Sequence, residues 1–309
     1  GLRDVPLPLG SPAHVERADK ILRHEFDFNN EVHRLPKTFD WKMNPSLDIE
    51  WLILLHKFYY AKDLAAAYDF TGEEEYARKW MELVSSWIGD VPDGFIDSQV
   101  AGRRLQQWIL SYQTFVTQCH SPSVTPDFFG RFIHSINSQT HYLCEHLTPE
   151  GNHRTLELYA IFLVAVTFPE LNSAEWFLGF SKQKLVENIR QDLLPDGVHR
   201  ELSTDYHHTV LKNYLRFRGL ALLNNIGLIA QCDELLKKAI AFSYYAHKPD
   251  GFIPAINDGD CNSYLPLLKK ANTCYPDSFL QYVLNKGEDG IAPVQRSRGF
   301  TESGYYILR

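Results

Sequence analysis

Hydrophobic residues recur with the α-helical period along most of the chain. Between residues 47 and 69, apolar side chains lie at the i, i+3, i+4 and i+7 positions, beginning with Trp51, Leu54, Leu55 and Phe58. This spacing places the apolar side chains on one face of a helix. It predicts a core helix over residues 47–69.

A glycine break follows that helix at Gly72, and a second apolar stripe runs through Tyr76, Trp80 and Leu83. Two helices joined by a short glycine turn are typical of an αα-hairpin. The pair Ser11-Pro12 predicts an earlier helix, with Ser11 as its cap. Similar stripes predict further helices over residues 101–118, 126–146, 154–167, 174–192, 204–226 and 232–246.

A Pro-acid-Gly turn recurs between these helices, at residues 92–94, 149–151, 195–197 and 249–251. The intervals of 57, 46 and 54 residues each suit two helices and their connections. The repeat therefore predicts an array of helical hairpins. Such an array can be an open solenoid, or it can close into an α/α toroid in which the corners surround one cleft.

The end of the chain has a different pattern. A segment rich in Gly, Pro and charged residues precedes "TESGYYILR", a short β-like run at residues 301–309. A strand needs a partner strand. We therefore expect residues 290–309 to be a linker and the first strand of a β domain that is missing or truncated here.

Composition narrows the classes of partner. The net charge of −7 argues against a nucleic-acid partner, and an anionic ligand would need a local basic patch. The chain has no run of 18 apolar residues, so we expect no membrane span. The five cysteines lack metal-ligand spacing, which favours buried thiols over a zinc site or a disulfide framework. Aromatic residues make up 13% of the chain, which suits either a large core or a sugar-binding cleft.

Polar residues that could carry chemistry follow each Pro-acid-Gly turn. If the hairpins close a ring, these residues converge on one cleft. The candidates, from the first corner to the fourth, are Arg104; Asn152, His153 and Arg154; Glu201, Tyr206 and His207; and Asp258.

Each candidate also has a purely structural interpretation. Asn152 after Gly151 could be a helix cap, and Tyr206 could be a core aromatic behind a Ser203 or Thr204 cap. A basic pair such as His153 and Arg154 could be solvated, although it opposes the helix dipole in a first turn.

Together, the candidates suit one reaction better than the alternatives. Elimination across a 4-linked uronic acid removes the C5 proton, which is weakly acidic until the neighbouring carboxylate is neutralised. An amide or a cation can neutralise that carboxylate, and a phenol or an imidazole can transfer the protons. The corners supply both kinds of group and the arginines for an acidic glycan. They do not supply the isolated carboxylate pair of a glycosidase.

Four segments resemble the N-terminal α/α-toroid domain of the heparinase II/III-like polysaccharide lyases, and heparinase III is the more similar type. They are "FDWKMNPSLDIEWLILLHKFYY", "EGNHRTLE", "PDGVHRELSTDYHH" and "FIPAINDGD". The closing "FTESGYYILR" resembles the first strand of that family's C-terminal β-sandwich.

The resemblance implies an all-α fold, an incomplete (α/α) toroid built of helical hairpins with a short β-like segment at the C-terminus. It implies a helical lead-in over residues 1–38 and a toroid catalytic domain over residues 39–289. The missing sandwich domain would pack on the toroid. That family also uses a histidine from the sandwich, so this chain alone could be inactive.

The resemblance further implies that Asn152 neutralises the carboxylate and that Tyr206 is the catalytic acid, with a second role of Tyr206 as the base left open. His153, Arg154, Glu201 and His207 would line the same cleft, and Arg104 and Asp258 are further candidates for substrate contact. We expect no metal or cofactor, apart from a structural ion in the missing domain. The implied substrate is an acidic polysaccharide, most simply a heparan-sulfate-like one, which places the protein in the periplasm or outside the cell.

Three alternatives remain open at this stage. The protein could be a lyase for another uronate polymer such as alginate or hyaluronan. It could be an α/α-toroid glycoside hydrolase, or a non-catalytic, glycan-binding helical scaffold.

Overall fold

The computed structural model describes residues 10–227 and 230–308, without the side chains of residues 230 and 231. These residues form twelve α-helices, one π-helical segment and four short strands. The helices are α1 (Pro12–Leu22), α2 (Ile49–Lys57), α3 (Ala61–Thr71), α4 (Glu74–Asp90), α5 (Ser98–Tyr112), α6 (Pro126–Glu145), α7 (Gly151–Thr167), α8 (Ala174–Asp192), α9 (Thr204–Leu223), α10 (Ala230–Ala246), α11 (Leu265–Cys274) and α12 (Ser278–Leu284). The π-helical segment is Gln113–Gln118, and the strands are β1 (Glu25–Phe28), β2 (Glu31–Arg34), β3 (Arg298–Phe300) and β4 (Tyr305–Ile307).

The chain divides into two compact units. The first unit comprises residues 1–148 and 163–178, and the second comprises residues 149–162 and 179–309. The division therefore runs through α7 and α8. The domain bounds expected from the sequence, at residues 38/39 and 289/290, were drawn from sequence patterns and not from compactness, and they stay predictions. Residues 1–9 and 309 lie outside the described part of the chain.

An aromatic core holds the first unit together. Trp80 stacks on Phe115 with ring centroids 5.0 Å apart, and Trp87 meets Trp108 edge to face at 5.5 Å. These four side chains are fully buried or nearly so. Buried aromatic pairs of this kind add to the hydrophobic burial that packs α3 against α1, α4 and α5.

The single helix predicted over residues 47–69 is wrong. α2 ends at Lys57, and Phe58 adopts a left-handed backbone conformation with φ 57° before α3 begins. Such a conformation is costly for a bulky residue. Its ring is fully buried and stacks on Trp41 at 5.4 Å, and this tertiary contact offsets the local cost.

A β-hairpin lies within the lead-in that was predicted to be helical. β1 pairs with β2 in antiparallel register, with Phe28 opposite Glu31. Asn29 and Asn30 form the two-residue turn, and both have positive φ, 52° and 61°. A two-residue hairpin turn needs positive φ at both positions, and asparagine tolerates this conformation well.

The second unit is built around α9, which packs against α10 and α11. A buried polar cluster lies beside it, where Asp192 Oδ2 accepts hydrogen bonds from Tyr214 at 2.9 Å and from Asn188 at 2.8 Å. Thr155 of α7 donates to the same oxygen at 2.9 Å. Burial raises the pKa of the Asp192 carboxyl.

The predicted β-like end forms a strand, but it does not lack a partner. β4 pairs antiparallel with β3, so the two strands make a hairpin of their own. The hairpin packs on α10, where Phe242 meets Phe300 and Tyr305 edge to face at 5.1 and 5.0 Å. The argument that this strand lacks a partner is therefore wrong, whereas the predicted further β domain stays a prediction.

The Pro-acid-Gly corners are turns, as predicted, and three of their glycines require a positive φ. These are Gly151, Gly197 and Gly251, at 82°, 89° and 85°. Gly197 is also tightly packed, because a Cβ there would lie 2.4 Å from the carbonyl carbon of Lys238.

Two predictions about the whole chain can be compared with the described residues. No helix among them is both long enough and apolar enough to cross a bilayer. The five cysteines form no disulfide, but only Cys232 is buried and Cys261 is exposed. The interpretation of all five as buried thiols is therefore wrong.

Candidate functional site

The candidate amide lies in the first turn of α7. That helix begins at Gly151, so Asn152 is its second residue and does not hold the cap position that the structural interpretation assigned to it. Its side chain is half-buried, His153 is exposed and Arg154 is half-buried. An amide in this position is not needed to start the helix, so it remains available for another role.

The candidate phenol lies in the first turn of α9. Ser203 caps that helix by accepting a hydrogen bond from the Tyr206 backbone N–H at 3.2 Å. The Tyr206 side chain is half-buried, and its hydroxyl donates to Asp258 Oδ2 at 3.0 Å. The hydrogen bond to Asp258, followed by partial burial, raises the pKa of Tyr206. The interpretation of Tyr206 as a core aromatic does not fit this exposure.

The corners that carry these two residues touch each other within the second unit. Arg200 Nη1 lies 3.0 Å from Glu150 Oε2. Glu201 Oε1 lies 2.9 Å from the position that a Cβ on Gly151 would occupy. The exposed Glu201 carboxylate is therefore beside the residue that precedes Asn152.

Buried, uncharged histidines are neighbours of Tyr206 in the sequence. His207 Nδ1 accepts a hydrogen bond from the His199 backbone N–H at 3.2 Å, so the ring proton is on Nε2, which faces the Ala239 carbonyl at 3.1 Å. Burial lowers the pKa of His207 well below its ordinary value. The predicted place of His207 in the cleft lining stays a prediction, and its ring is fully buried.

Two further buried imidazoles complete the group. Burial, with a smaller contribution from Arg200, lowers the pKa of His199 to about 4. Burial also lowers the pKa of His208 to about 3. Among the described residues, neither ring nitrogen of His199 has a hydrogen-bond partner. Sequence reasoning did not assign this environment, because nothing in the local sequence around His199, His207 and His208 separates a buried histidine from an exposed one.

Arg104 belongs to the first unit and is fully buried. Its guanidinium lies 3.8 Å from the ring centroid of Trp87 and donates to Gln139 Oε1 at 2.8 Å. Burial lowers the pKa of Arg104 to about 9. A guanidinium enclosed in this way stabilises the core, and its predicted contact with substrate has no support in this geometry.

The loop that carries Asp258 was only partly anticipated. Residues 253–264 follow α10 and precede α11, and we call them the corner loop. Sequence reasoning selected Asp258 but missed Asp205, which accepts hydrogen bonds from Asn262 at 3.0 Å and from Tyr264 at 2.5 Å. No local signal marks Asp205, since its partners are more than 50 residues away.

The second unit therefore assembles a half-buried amide, a half-buried phenol and two exposed carboxylates on contacting corners. These groups can bind a sugar carboxylate and transfer protons. Among the described residues, no group of three or more potential ligands could hold a metal ion. The expectation that no cofactor is needed stays a prediction.

Comparisons with known proteins identify the family and the fold of the chain. The Heparinase II/III N-terminus family matches residues 11–282. A heparin-sulfate lyase from Pedobacter heparinus is 26% identical over 95% of this chain and 47% of its own length. The chain thus spans about half the length of the curated relatives that it matches.

Solved structures share the fold. The crystal structure of heparan sulfate lyase HepC from Pedobacter heparinus superposes with a TM-score of 0.82 and 24% identity, over 99% of this chain and 50% of that one. A crystal structure of heparinase III gives a TM-score of 0.89 with 22% identity, over 100% of this chain and 52% of that one. These likenesses confirm the predicted fold class, an all-α, incomplete (α/α) toroid of helical hairpins. With the family match covering most of its length, the chain belongs to the heparinase II/III N-terminal family.

Proposed function

We propose that the protein is a polysaccharide lyase that cleaves a 4-linked uronic-acid-containing glycan by β-elimination. The observation that carries the proposal is the contact between the corners of Asn152 and Tyr206, joined by Glu150 and Arg200 at 3.0 Å. The heparin-sulfate lyases among the relatives support a heparan-sulfate-like substrate.

In this proposal Asn152 neutralises the uronate carboxylate. Its amide N–H groups donate to the carboxylate oxygens, which stabilises the negative charge that develops when the C5 proton leaves. A half-buried amide is better suited than an exposed one, because partial exclusion of water strengthens these hydrogen bonds. The C5 proton thereby becomes acidic enough for an enzymatic base.

Tyr206 protonates the leaving group. As the C4–O4 bond breaks, the phenol donates its proton to O4, and a double bond forms between C4 and C5. A phenol with a raised pKa stays protonated over the pH range in which the enzyme would work. The sequence left a second role for Tyr206 as the base open.

Further side chains near these corners would bind the acidic chain. The exposed His153 and the half-buried Arg154 follow Asn152 directly and supply cationic or hydrogen-bonding groups. Glu201 lies beside Gly151 and suits the hydroxyl groups of a sugar. We do not include Arg104 in this set, because its guanidinium is enclosed in the first unit.

We also propose that a further domain of the longer protein covers the β3–β4 hairpin. A groove of about 320 Å³ lies between this hairpin, α10 and the corner loop. Exposed apolar side chains surround it, including Tyr306, Leu308 and Ile256 at 67%, 83% and 37% exposure. Apolar surface of this kind marks an interaction site. A periplasmic or secreted location follows from the substrate class alone. A reaction without a metal completes the proposal.

The decisive experiment is to incubate the protein with heparan sulfate, hyaluronan and alginate and to follow the ultraviolet absorbance of the 4,5-unsaturated uronate. We expect absorbance to rise with heparan sulfate. New reducing ends without absorbance would instead identify a glycoside hydrolase, and binding without turnover would identify a scaffold. The longer protein and the 309-residue chain should both be assayed, since the further domain could contribute to activity.

A further inference from the structure

The corner loop is attached to the N-terminus of α9 by several hydrogen bonds. Thr204 Oγ1 donates to the Pro254 carbonyl at 2.6 Å and accepts from the Ile256 backbone N–H at 3.3 Å. Ser203 Oγ, which caps α9, donates to the Asp258 carbonyl at 3.1 Å. The first residues of α9 therefore fix the position of the loop that carries Asp258.

The attachment extends along the loop in both directions. Asn257 Nδ2 donates to the Leu202 carbonyl at 2.6 Å. Gly259 lies so close to α9 that a Cβ there would be 2.6 Å from the Asp205 Cβ and 2.9 Å from Ser203 Oγ. The Asn257 side chain on one side of Asp258 and the close backbone approach of Gly259 on the other thus hold Asp258 beside α9.

This attachment determines what faces the Tyr206 phenol. The hydroxyl donates to Asp258 Oδ2 at 3.0 Å, and the Glu201 and Asp205 carboxylates add negative charge nearby. Deprotonation of the phenol would place a phenolate against a carboxylate at hydrogen-bond distance. Two like charges that close disfavour the ionised form.

We propose that Asp258 is a positioning residue that keeps Tyr206 protonated and commits it to the proton-donating half of the elimination. This inference rests on the proposed function and deepens it. A basic side chain other than Tyr206 then takes the C5 proton, while the Tyr206 proton moves to O4 as the C4–O4 bond breaks. Afterwards the base releases the C5 proton to solvent and the phenolate takes a proton from water, so both groups return to their starting states.

The Asp258→Asn variant tests the proposal, because the amide oxygen can still accept from Tyr206 while the charge is removed. The hydrogen bond from the Ser203 hydroxyl to the backbone carbonyl of residue 258 is unaffected, so the fold should be retained. Asp258→Glu keeps the charge and serves as the conservative variant. Asp260→Asn is the matched control, since Asp260 is an exposed carboxylate in the same loop.

The first readout is independent of turnover. The phenol of Tyr206 is titrated by carbon NMR with labelled tyrosine, and its signal is assigned as the one lost in Tyr206→Phe. We expect the pKa of Tyr206 to fall in Asp258→Asn, because the carboxylate charge is gone, and to change little in Asp258→Glu or Asp260→Asn. An unchanged pKa in Asp258→Asn would overturn the proposal.

The second readout is the pH dependence of lyase activity. We expect the alkaline limb of kcat to move to lower pH in Asp258→Asn, with KM nearly constant. A raised KM with an unmoved limb would make Asp258 a substrate contact and overturn the proposal. Loss at every pH as severe as in Tyr206→Phe would make Asp258 a proton acceptor and overturn it equally. If the unsubstituted longer protein, with its further domain, releases no unsaturated product, the proposed function fails. The NMR titration is separate, because an unchanged pKa of Tyr206 in Asp258→Asn overturns only the role of Asp258.

Discussion

Glu150 and Arg200 join the corner before α7 to the corner before α9, with Arg200 Nη1 3.0 Å from Glu150 Oε2 and 50 residues between them. Both side chains are substantially exposed, so the ion pair itself contributes little stability. Buried backbone contacts shape the second corner, where the Arg200 N–H donates to the Asp192 carbonyl at 2.8 Å. The ion pair marks the contact between the two corners that carry Asn152 and Tyr206.

Asn152 and Tyr206 should behave as one catalytic unit. We expect Tyr206→Phe to lower kcat by about 100-fold or more, because a positioned proton donor is lost. Asn152→Ala should lower kcat by a similar factor, since the carboxylate is no longer neutralised. The double variant should be little worse than either single one, because groups that act on the same transition state are not additive.

Thermal unfolding provides the control for this series. Tyr206→Phe removes a hydroxyl and little volume, so its Tm should match that of the unsubstituted protein. If the decreases in kcat of the two single variants instead multiply in the double variant, Asn152 and Tyr206 act independently and do not form one catalytic unit.

Arg104 should matter for stability rather than for binding. Arg104→Ala removes a buried guanidinium and leaves the Gln139 side chain without its 2.8 Å partner. We expect a loss of about 3 kcal/mol in the free energy of unfolding, measured by urea denaturation. Arg131→Ala is the control, since its ion pair with Asp127 is exposed and should contribute less than about 0.5 kcal/mol. A stable Arg104→Ala protein with weakened glycan binding would restore the original interpretation of Arg104 as a substrate contact.

The buried histidines should make the protein sensitive to acid. The unfolded chain protonates His199 near pH 6.5, whereas burial lowers its folded-state pKa to about 4. The free energy of unfolding is therefore insensitive to this group above about pH 6.5 and falls as the pH drops from there to about 4. The contribution of His199 to that fall is roughly 3 kcal/mol.

His199→Leu should flatten this dependence. Neither ring nitrogen has a hydrogen-bond partner among the described residues, so the substitution costs little at pH 7. His153→Gln replaces an imidazole at an exposed position and serves as the matched control. Urea denaturation at a series of pH values measures the free energy of unfolding of both variants. If this free energy falls with pH in His199→Leu as steeply as in the unsubstituted protein, His199 is not the source of the acid sensitivity.

Two glycine substitutions should have opposite effects. Gly259→Ala forces the corner loop away from α9, because the new Cβ would lie 2.6 Å from that of Asp205. We expect lower stability and lower lyase activity. Gly219→Ala lies within α9 and meets no atom within 4 Å, so it should stabilise the protein by about 0.5–1 kcal/mol without affecting activity. Equal effects at both positions would show that loop packing is unimportant.

Long amphipathic stripes were enough to predict several helices closely. The predicted segments 126–146 and 174–192 agree with α6 and α8 to within one residue at each end. The break at Phe58 was not predictable, since a left-handed phenylalanine depends on its contact with Trp41 in the folded protein. The Asn29-Asn30 turn was a usable local signal for the β1–β2 hairpin that the helical interpretation overlooked.

The sequence was enough to select residue types for the candidate site, but it did not predict the contacts between them. The motifs brought Asn152 and Tyr206 forward, and the helix starts at Gly151 and Thr204 place both in first turns. The hydrogen bond from Tyr206 to Asp258 spans 52 residues, and no local pattern encodes it. Nothing in the sequence indicated that Arg104 lies in the interior, because arginine is rarely buried and its position depends on the aromatic and amide groups around it.

The central claim is that the Asn152 amide and the Tyr206 phenol act on one uronate ring. The most direct measurement is a crystal structure of the Tyr206→Phe protein with a bound heparan sulfate tetrasaccharide. We predict that Asn152 Nδ2 donates to a uronate carboxylate and that the aromatic ring at position 206 faces C5 and O4 of the same sugar. A saccharide bound with its carboxylate away from Asn152, or with these two side chains on different sugars, would contradict the account.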